Sequence, residues 1–210
     1  MRISKWKLST KVLSLGLFIT VCFVLVFGWL YPKMKQTFYK AKYTKTRHLV
    51  QTASSALEFY LKQNVSGAMT TQSAQEAAKQ AVKNLRYDQD DYFWINDTHP
   101  RMIMHPIQPH LDGEDLSDFK DPHGIRLFEK MVDICREKGA GFVRYDWPKP
   151  GSKKPVPKIS YVKLIPEWDW IVGSGIYMDE VEKEIASVFN IIIGVILLVT
   201  LVAITLSYLV

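Results

Sequence analysis

Two long uncharged runs dominate the polarity pattern of this chain. Twenty-one residues between Lys11 and Lys33 carry no charge, and from Ile185 to Val210 there are 26 more. A helix needs about 20 mostly apolar residues to cross a hydrocarbon layer of roughly 30 Å, so each run is long enough. Lipid offers a backbone no hydrogen-bond partners, which makes helix the only reading for runs of this kind. The first run is too long for a signal-peptide core and no small-x-small cleavage site follows it; it reads as a retained anchor.

Between the runs the pattern is that of a folded domain. Leu49, Ala53, Ala56, Leu57 and Tyr60 make one apolar stripe of an amphipathic helix. No Gly or Pro interrupts Lys33 to Val65, so this helix continues from the first span and is ended by Gly67. Ser73 and Glu76 form an S-x-x-E capping box for a second helix, with Ala77, Ala78, Ala81, Val82 and Leu85 inward. Tyr92 to Ile95 and Arg101 to His105 then read as a strand hairpin, followed by an acidic, irregular loop from His110 to Asp121. Asp121-Pro122 supplies an N-cap and an N1 proline for a third helix. Its buried stripe is Leu127, Phe128, Met131, Val132 and Cys135, with Gly139 at its C-terminal cap. Gly141 to Trp147, Lys158 to Ile165 and Trp170 to Tyr177 are three further strands, and Pro148 to Pro157 is a loop between the first two. The order predicts an α+β domain: one antiparallel sheet of about five strands with segregated helices, flanked by two transmembrane helices.

Charge sets the orientation. Arg2, Lys5, Lys7 and Lys11 precede the first span with no acidic residue among them, which keeps the tail, residues 1–11, in the cytoplasm. Residues 12–31 are then the first span, 32–184 an extracytoplasmic domain, and 185–210 the second span. The net charge of +6 includes those four cations; the remainder has 23 basic against 21 acidic residues, too balanced for a nucleic-acid partner. Cys22 lies in the first span and Cys135 in the domain, so neither a disulfide framework nor a CxxC metal pair exists.

Five strings carry a family resemblance that periodicity does not supply. DDYFWIND at 90–97, MIMHP at 102–106, LDGEDLSDFKDPHG at 111–124, GFVRYDWPKPGSKKPVPKISYVK at 141–163 and WDWIVGSGIYMDEV at 168–181 resemble single Cache domains. They are most similar to the type found in bacterial methyl-accepting chemotaxis receptors and sensor kinases. The resemblance covers nearly all of Tyr31 to Glu184, in order. It implies a PAS-like sheet behind a long N-terminal helix, a small-molecule pocket on the sheet, a homodimer packed through the long helices, and a place in the bacterial inner membrane with the domain in the periplasm. It also implies a ligand such as a two- or three-carbon carboxylate, or urea or another small polar molecule. Such receptors continue into signalling modules past the second span, whereas this chain stops at Val210. The expectation is therefore a truncated receptor or a membrane accessory protein that dimerises and regulates a partner.

Strand alternation nominates the ligand residues. Tyr161 and Lys163 share a face, as do Tyr92 and Trp94, Tyr145 and Trp147, and Ile103 and His105. If those faces coincide, they give aromatic walls with a few polar groups, which is the make-up of small-molecule sites. Lys163 matches the lysine of the family's YVK string and is expected to pair with a ligand carboxylate; as a plain strand lysine it would simply be solvated. His105, from the MHP string, is expected to face the pocket and to make affinity pH-sensitive, unless it only completes a turn. Tyr92, Trp94, Tyr145, Trp147 and Tyr161 serve equally as core. Asp112, Glu114, Asp115, Asp118 and Asp121 lack the register of a calcium loop and read as a solvated acidic loop. His48, His99, His110 and His123 show no metal-ligand spacing, and no cofactor is expected. There is no G-x-S-x-G, P-loop or HExxH, so catalytic residues are not expected. A four-atom carboxylate gains at most about 6 kcal/mol, or a Kd of roughly tens of micromolar.

Overall fold

The computed structural model describes residues 7–88 and 90–209. Arg2 and Lys5, half of the cations that set the expected orientation, lie outside the described residues. Helix α1 spans Leu8–Val65 and runs through Pro32, so the first apolar run and the first amphipathic stretch are one helix. Helix α4 spans Met178–Leu209. Both are long and apolar enough to cross a membrane. The chain divides into two compact units: residues up to Lys40 with those from Val181 onward, and Ala41–Glu180.

In the first unit, α1 and α4 meet through polar and aromatic contacts that apolar solvation alone would not provide. Thr20 and Thr200 share a hydroxyl–hydroxyl hydrogen bond of 3.0 Å. The Ser207 hydroxyl donates to the Ser9 carbonyl at 2.8 Å. Phe189 stacks on Phe27 and Tyr31, with centroids 5.5 and 5.2 Å away.

The second unit is a six-stranded sheet. After α2 (Thr71–Lys83) come β1 (Arg86–Tyr87), β2 (Asp91–Asp97) and β3 (Met102–Met104). Helix α3 (Leu127–Lys138) precedes β4 (Ala140–Pro148), β5 (Pro155–Ile165) and β6 (Trp170–Tyr177). The strand order is β1-β2-β6-β5-β4, with β3 also on β2 and every pairing antiparallel. Alternation sends successive side chains to opposite faces. One face packs on α3: Tyr92, Trp94, Tyr145, Trp147 and Val162 meet Leu127, Phe128, Met131, Val132 and Cys135. The other packs on α1 and α2: Phe93, Ile95 and Val172 meet Val50, Ala53, Leu57, Ala74, Ala78 and Val82.

Two helix starts differ from the expected ones. Thr70, not Ser73, caps α2, accepting the Ser73 amide at 3.2 Å. Helix α3 begins at Leu127 rather than at Asp121-Pro122. Asp121 instead takes the amides of His123 (2.9 Å) and Ile125 (2.8 Å) on one oxygen and that of Asp146 (3.1 Å) on the other. Its short carboxylate satisfies a local turn and ties that turn to β4, which competes with capping a helix.

Candidate functional site

On the α3 face, Tyr92, Trp94, His105, Phe128, Tyr145 and Trp147 enclose a small cavity. It offers about 10 Å³ to the centre of a water molecule, which is about one water's worth of room. Strand β2 supplies Tyr92 and Trp94, β4 supplies Tyr145 and Trp147, α3 supplies Phe128, and the chain leaving β3 supplies His105. The cavity exists because β6 carries glycines between these strands. A Cβ on Gly173 would come within 2.4 Å of the Trp94 ring, and one on Gly175 within 2.1 Å of the Ser160 hydroxyl. The Trp94 indole thus lies directly on the β6 backbone. Its N–H is satisfied by the Asn96 side-chain oxygen at 3.1 Å.

The charge beside this cavity belongs to Lys158. It stands mid-sheet between Tyr177 of β6 and Tyr145 of β4, and is 1% exposed. Its Nζ donates to Tyr92 Oη at 3.1 Å and to Tyr177 Oη at 3.4 Å. The ammonium also sits 4.3 Å from the Tyr92 ring centroid and 4.6 Å from that of Tyr177. Among the described residues, no carboxylate lies within ion-pair distance of it, although other lysines of the domain have such partners. Phenol oxygens and aromatic faces attenuate a buried charge without neutralising it.

The other polar groups at the cavity are mostly donors. His105 is 2% exposed, and its Nδ1 accepts the amides of Gln108 (2.9 Å) and Ile107 (3.3 Å). That fixes the ring proton on Nε2. Burial first, then the Lys158 charge, push the His105 pKa down to about 3. The expected titration of His105 near neutrality is thereby corrected: the ring is a neutral N–H donor. The Trp147 indole N–H is buried without a hydrogen-bond partner among the described residues. Tyr145 and Ser160 share a hydroxyl hydrogen bond of 2.8 Å, and burial raises the Tyr145 pKa so that the phenol keeps its proton. An ammonium, an imidazole N–H and an unpartnered indole N–H make this a place suited to an anionic acceptor.

The structure brings together five of the seven sequence-nominated residues: Tyr92, Trp94, His105, Tyr145 and Trp147. Tyr161 and Lys163 lie on the opposite face, packed towards α1. Tyr161 belongs with the α1–α2 core, and Lys163 pairs with Glu58 at 2.9 Å and donates to Ser54 at 3.0 Å. The cause is parity. Lys163 is an odd number of residues from Lys158, so alternation sends it through the sheet. Lys163 also lines a larger open groove of about 570 Å³ beside Leu61, Val65 and Pro166. There its charge is already matched by Glu58, which removes the demand for an anionic ligand. Lys158 and Phe128 are the neighbours of the cavity that sequence reasoning missed as ligand residues. The acidic loop serves the site indirectly: Asp112 accepts the His105 amide at 2.7 Å, holding that residue in place.

A model of the Cache domain family matches residues 31–200. The chain belongs to the Cache domain family. It is 47% identical over 178 residues to the methyl-accepting chemotaxis protein McpP of Pseudomonas putida, covering 84% of this chain and 33% of that one. To the sensor histidine kinase MctS of Rhizobium johnstonii it is 34% identical over 119 residues, covering 55% and 26%. A solved structure described as the structural basis for carboxylic acid recognition by a Cache chemosensory domain superposes with a TM-score of 0.66 at 53% identity. That match covers 68% of this chain and 97% of the solved one. The chain therefore spans about a quarter to a third of the length of these curated relatives. Its Cache domain carries the cavity on the α3 side of the sheet, and two helices of membrane-spanning length flank it.

Proposed function

We propose that this Cache domain senses a small carboxylate outside the cytoplasm and that occupancy of the cavity is passed to α4. The observation that carries the reading is Lys158: a buried ammonium with no carboxylate partner among the described residues, next to a cavity walled by N–H donors and aromatic rings. A carboxylate would complete that charge, with His105 Nε2–H and Trp147 Nε1–H as further donors. The aromatic walls and Phe128 would hold its alkyl end. A four- or five-atom ligand takes roughly two to three waters' worth of volume, so wall side chains shift outward to admit it and longer chains are disfavoured. The reading is supported by the 53% identity to a Cache domain described for carboxylic acid recognition.

The orientation proposed from the tail cations puts residues 32–184 outside the cytoplasm and residues 12–31 and 185–210 in the bacterial inner membrane. The protein acts as a non-enzymatic sensor that dimerises through its long helix, in the manner of chemotaxis receptors. Burial pushes the thiol of Cys135 up to about 12, outside the range of a nucleophile.

The test compares acids with their amides. Acetate and propionate at about 100 times their Kd are expected to stabilise the chain by about 2.7 kcal/mol, read as a rise in Tm, whereas acetamide and propionamide leave Tm unchanged. Equal shifts with acid and amide would show that Lys158 is not met by a negative charge.

A further inference from the structure

Tyr177 is the last residue of β6, and α4 starts at the next residue with no connecting loop. Its hydroxyl is bonded on two sides. It accepts from Lys158 Nζ at 3.4 Å and donates its only proton to the Pro148 carbonyl at 2.9 Å. Pro148 ends β4, and the next residue, Lys149, reaches the first turn of α4. There Lys149 Nζ meets Asp179 Oδ2 at 2.9 Å and Glu180 Oε1 at 2.6 Å. The same ammonium lies 5.3 Å from the Tyr177 ring centroid. The path from the cavity to the head of α4 is therefore continuous: Lys158, Tyr177, the end of β4, Lys149, then Asp179 and Glu180.

The weakest link is the one a ligand would claim. At 3.4 Å the bond from Lys158 to Tyr177 is at the long end of the hydrogen-bond range, longer than the 3.1 Å bond to Tyr92. The ammonium has three N–H donors, of which the two phenols use two. An anion in the cavity attracts Nζ with a full negative charge, more strongly than a neutral phenol oxygen does, and draws it off the longer of the two phenol bonds. Tyr177 would keep its bond to Pro148 and lose its bond to Lys158.

We propose that Tyr177 and Lys149 are the positioning residues through which the head of α4 reads the cavity. Lys158 holds Tyr177, and through the Pro148–Lys149 end of β4 it holds the first turn of α4. A bound carboxylate draws Lys158 away, and Tyr177, that end of β4 and the first turn of α4 loosen together. This rests on the carboxylate reading above and adds the route by which binding leaves the site. Linkage gives it a sign: if the ligand breaks the Lys158–Tyr177 bond, removing that bond beforehand tightens ligand binding.

The experiment uses the full chain in lipid nanodiscs, with propionate as the probe, and reads hydrogen exchange of the segment 178–184 alongside the thermal shift. In the wild type, propionate is expected to raise Tm and to speed exchange in that segment. Tyr177→Phe, which removes one oxygen and keeps the ring, is expected to bind propionate about fivefold more tightly and to show no propionate-dependent exchange there. Lys149→Met, a change at a partly exposed side chain, is expected to bind within about twofold of the wild type and also to lose the exchange response. The coupling route is overturned if either variant keeps the wild-type response, or if Tyr177→Phe no longer binds propionate. A wild type that propionate does not stabilise overturns the carboxylate reading itself, and this route with it. Stabilisation with unchanged exchange overturns the route alone.

Discussion

Burying a lysine without a carboxylate is unfavourable, and here the unfavourable residue has neighbours that respond to it. Lys158 contributes to lowering the pKa of His105 and opposes the burial that raises Asp91. These two groups pull the acid stability of the domain in opposite directions. The His105 pKa is about 3 in the folded chain against an ordinary 6.5. Below 6.5 the unfolded chain binds a proton that the folded chain refuses, so stability falls as pH drops from 6.5 towards 3. Asp91 is raised, chiefly by burial, from 3.8 to about 6. The folded chain prefers that proton, so the Asp91 contribution is present below 3.8 and is lost as pH rises through 6. Asp91→Asn should unmask the histidine. Urea midpoints of that variant, converted to stability, are expected to fall by up to about 3 kcal/mol more between about pH 6.5 and about pH 4 than those of the double variant with His105→Gln. Identical acid limbs for the two variants would mean that His105 is not a buried neutral donor.

At the scale of elements, β6 determines whether the aromatic wall can form. Gly173→Ala drives a methyl to within 2.4 Å of the Trp94 ring. Overpacking of this kind costs about 1–3 kcal/mol, and the displaced indole should narrow the cavity. The expected outcome is a lower Tm together with weaker carboxylate binding; a variant with wild-type Tm and affinity would show that the ring does not depend on that glycine. Strand and helix order were legible because the period-2 pattern is strong in β4 and the period-3.6 pattern is strong in α3 and in the amphipathic part of the long helix. The buried stripe of α3 is the one its spacing predicts, and Gly139 caps it. Less legible was where β5 begins. Pro155 and Pro157 read as loop, which placed Lys158 at a strand end, and the YVK resemblance made Lys163 the lysine to choose. In the fold those prolines pair with β4, while the recorded β6 ladder begins only at Lys158. On that free edge a missing N–H donor is tolerated. The extra residues move Lys158 into the middle of the strand, between two tyrosines. Which pairs of aromatic residues share a face with it depends on register between strands, and a single sequence does not specify that register.

For the whole molecule, the sheet-bearing unit Ala41–Glu180 holds the cavity and the first turn of α4, and both helices of spanning length continue out of it as uninterrupted secondary structure. A sensor built this way requires a ligand that binds two conformations unequally, since only that difference can shift their populations. That difference is expected at Lys158. The most direct test is calorimetric titration of propionate into the full chain and into two lysine variants, Lys158→Met and Lys163→Met. Lys158→Met is expected to show no detectable binding, although it should fold at least as stably as the wild type, because a buried unneutralised charge has been replaced by an apolar group of similar shape. Lys163→Met is expected to bind within about threefold of the wild type, with at most about 1 kcal/mol lost with the half-exposed Glu58 pair. Undiminished propionate binding by Lys158→Met, or its loss in Lys163→Met alone, would contradict a site built on Lys158.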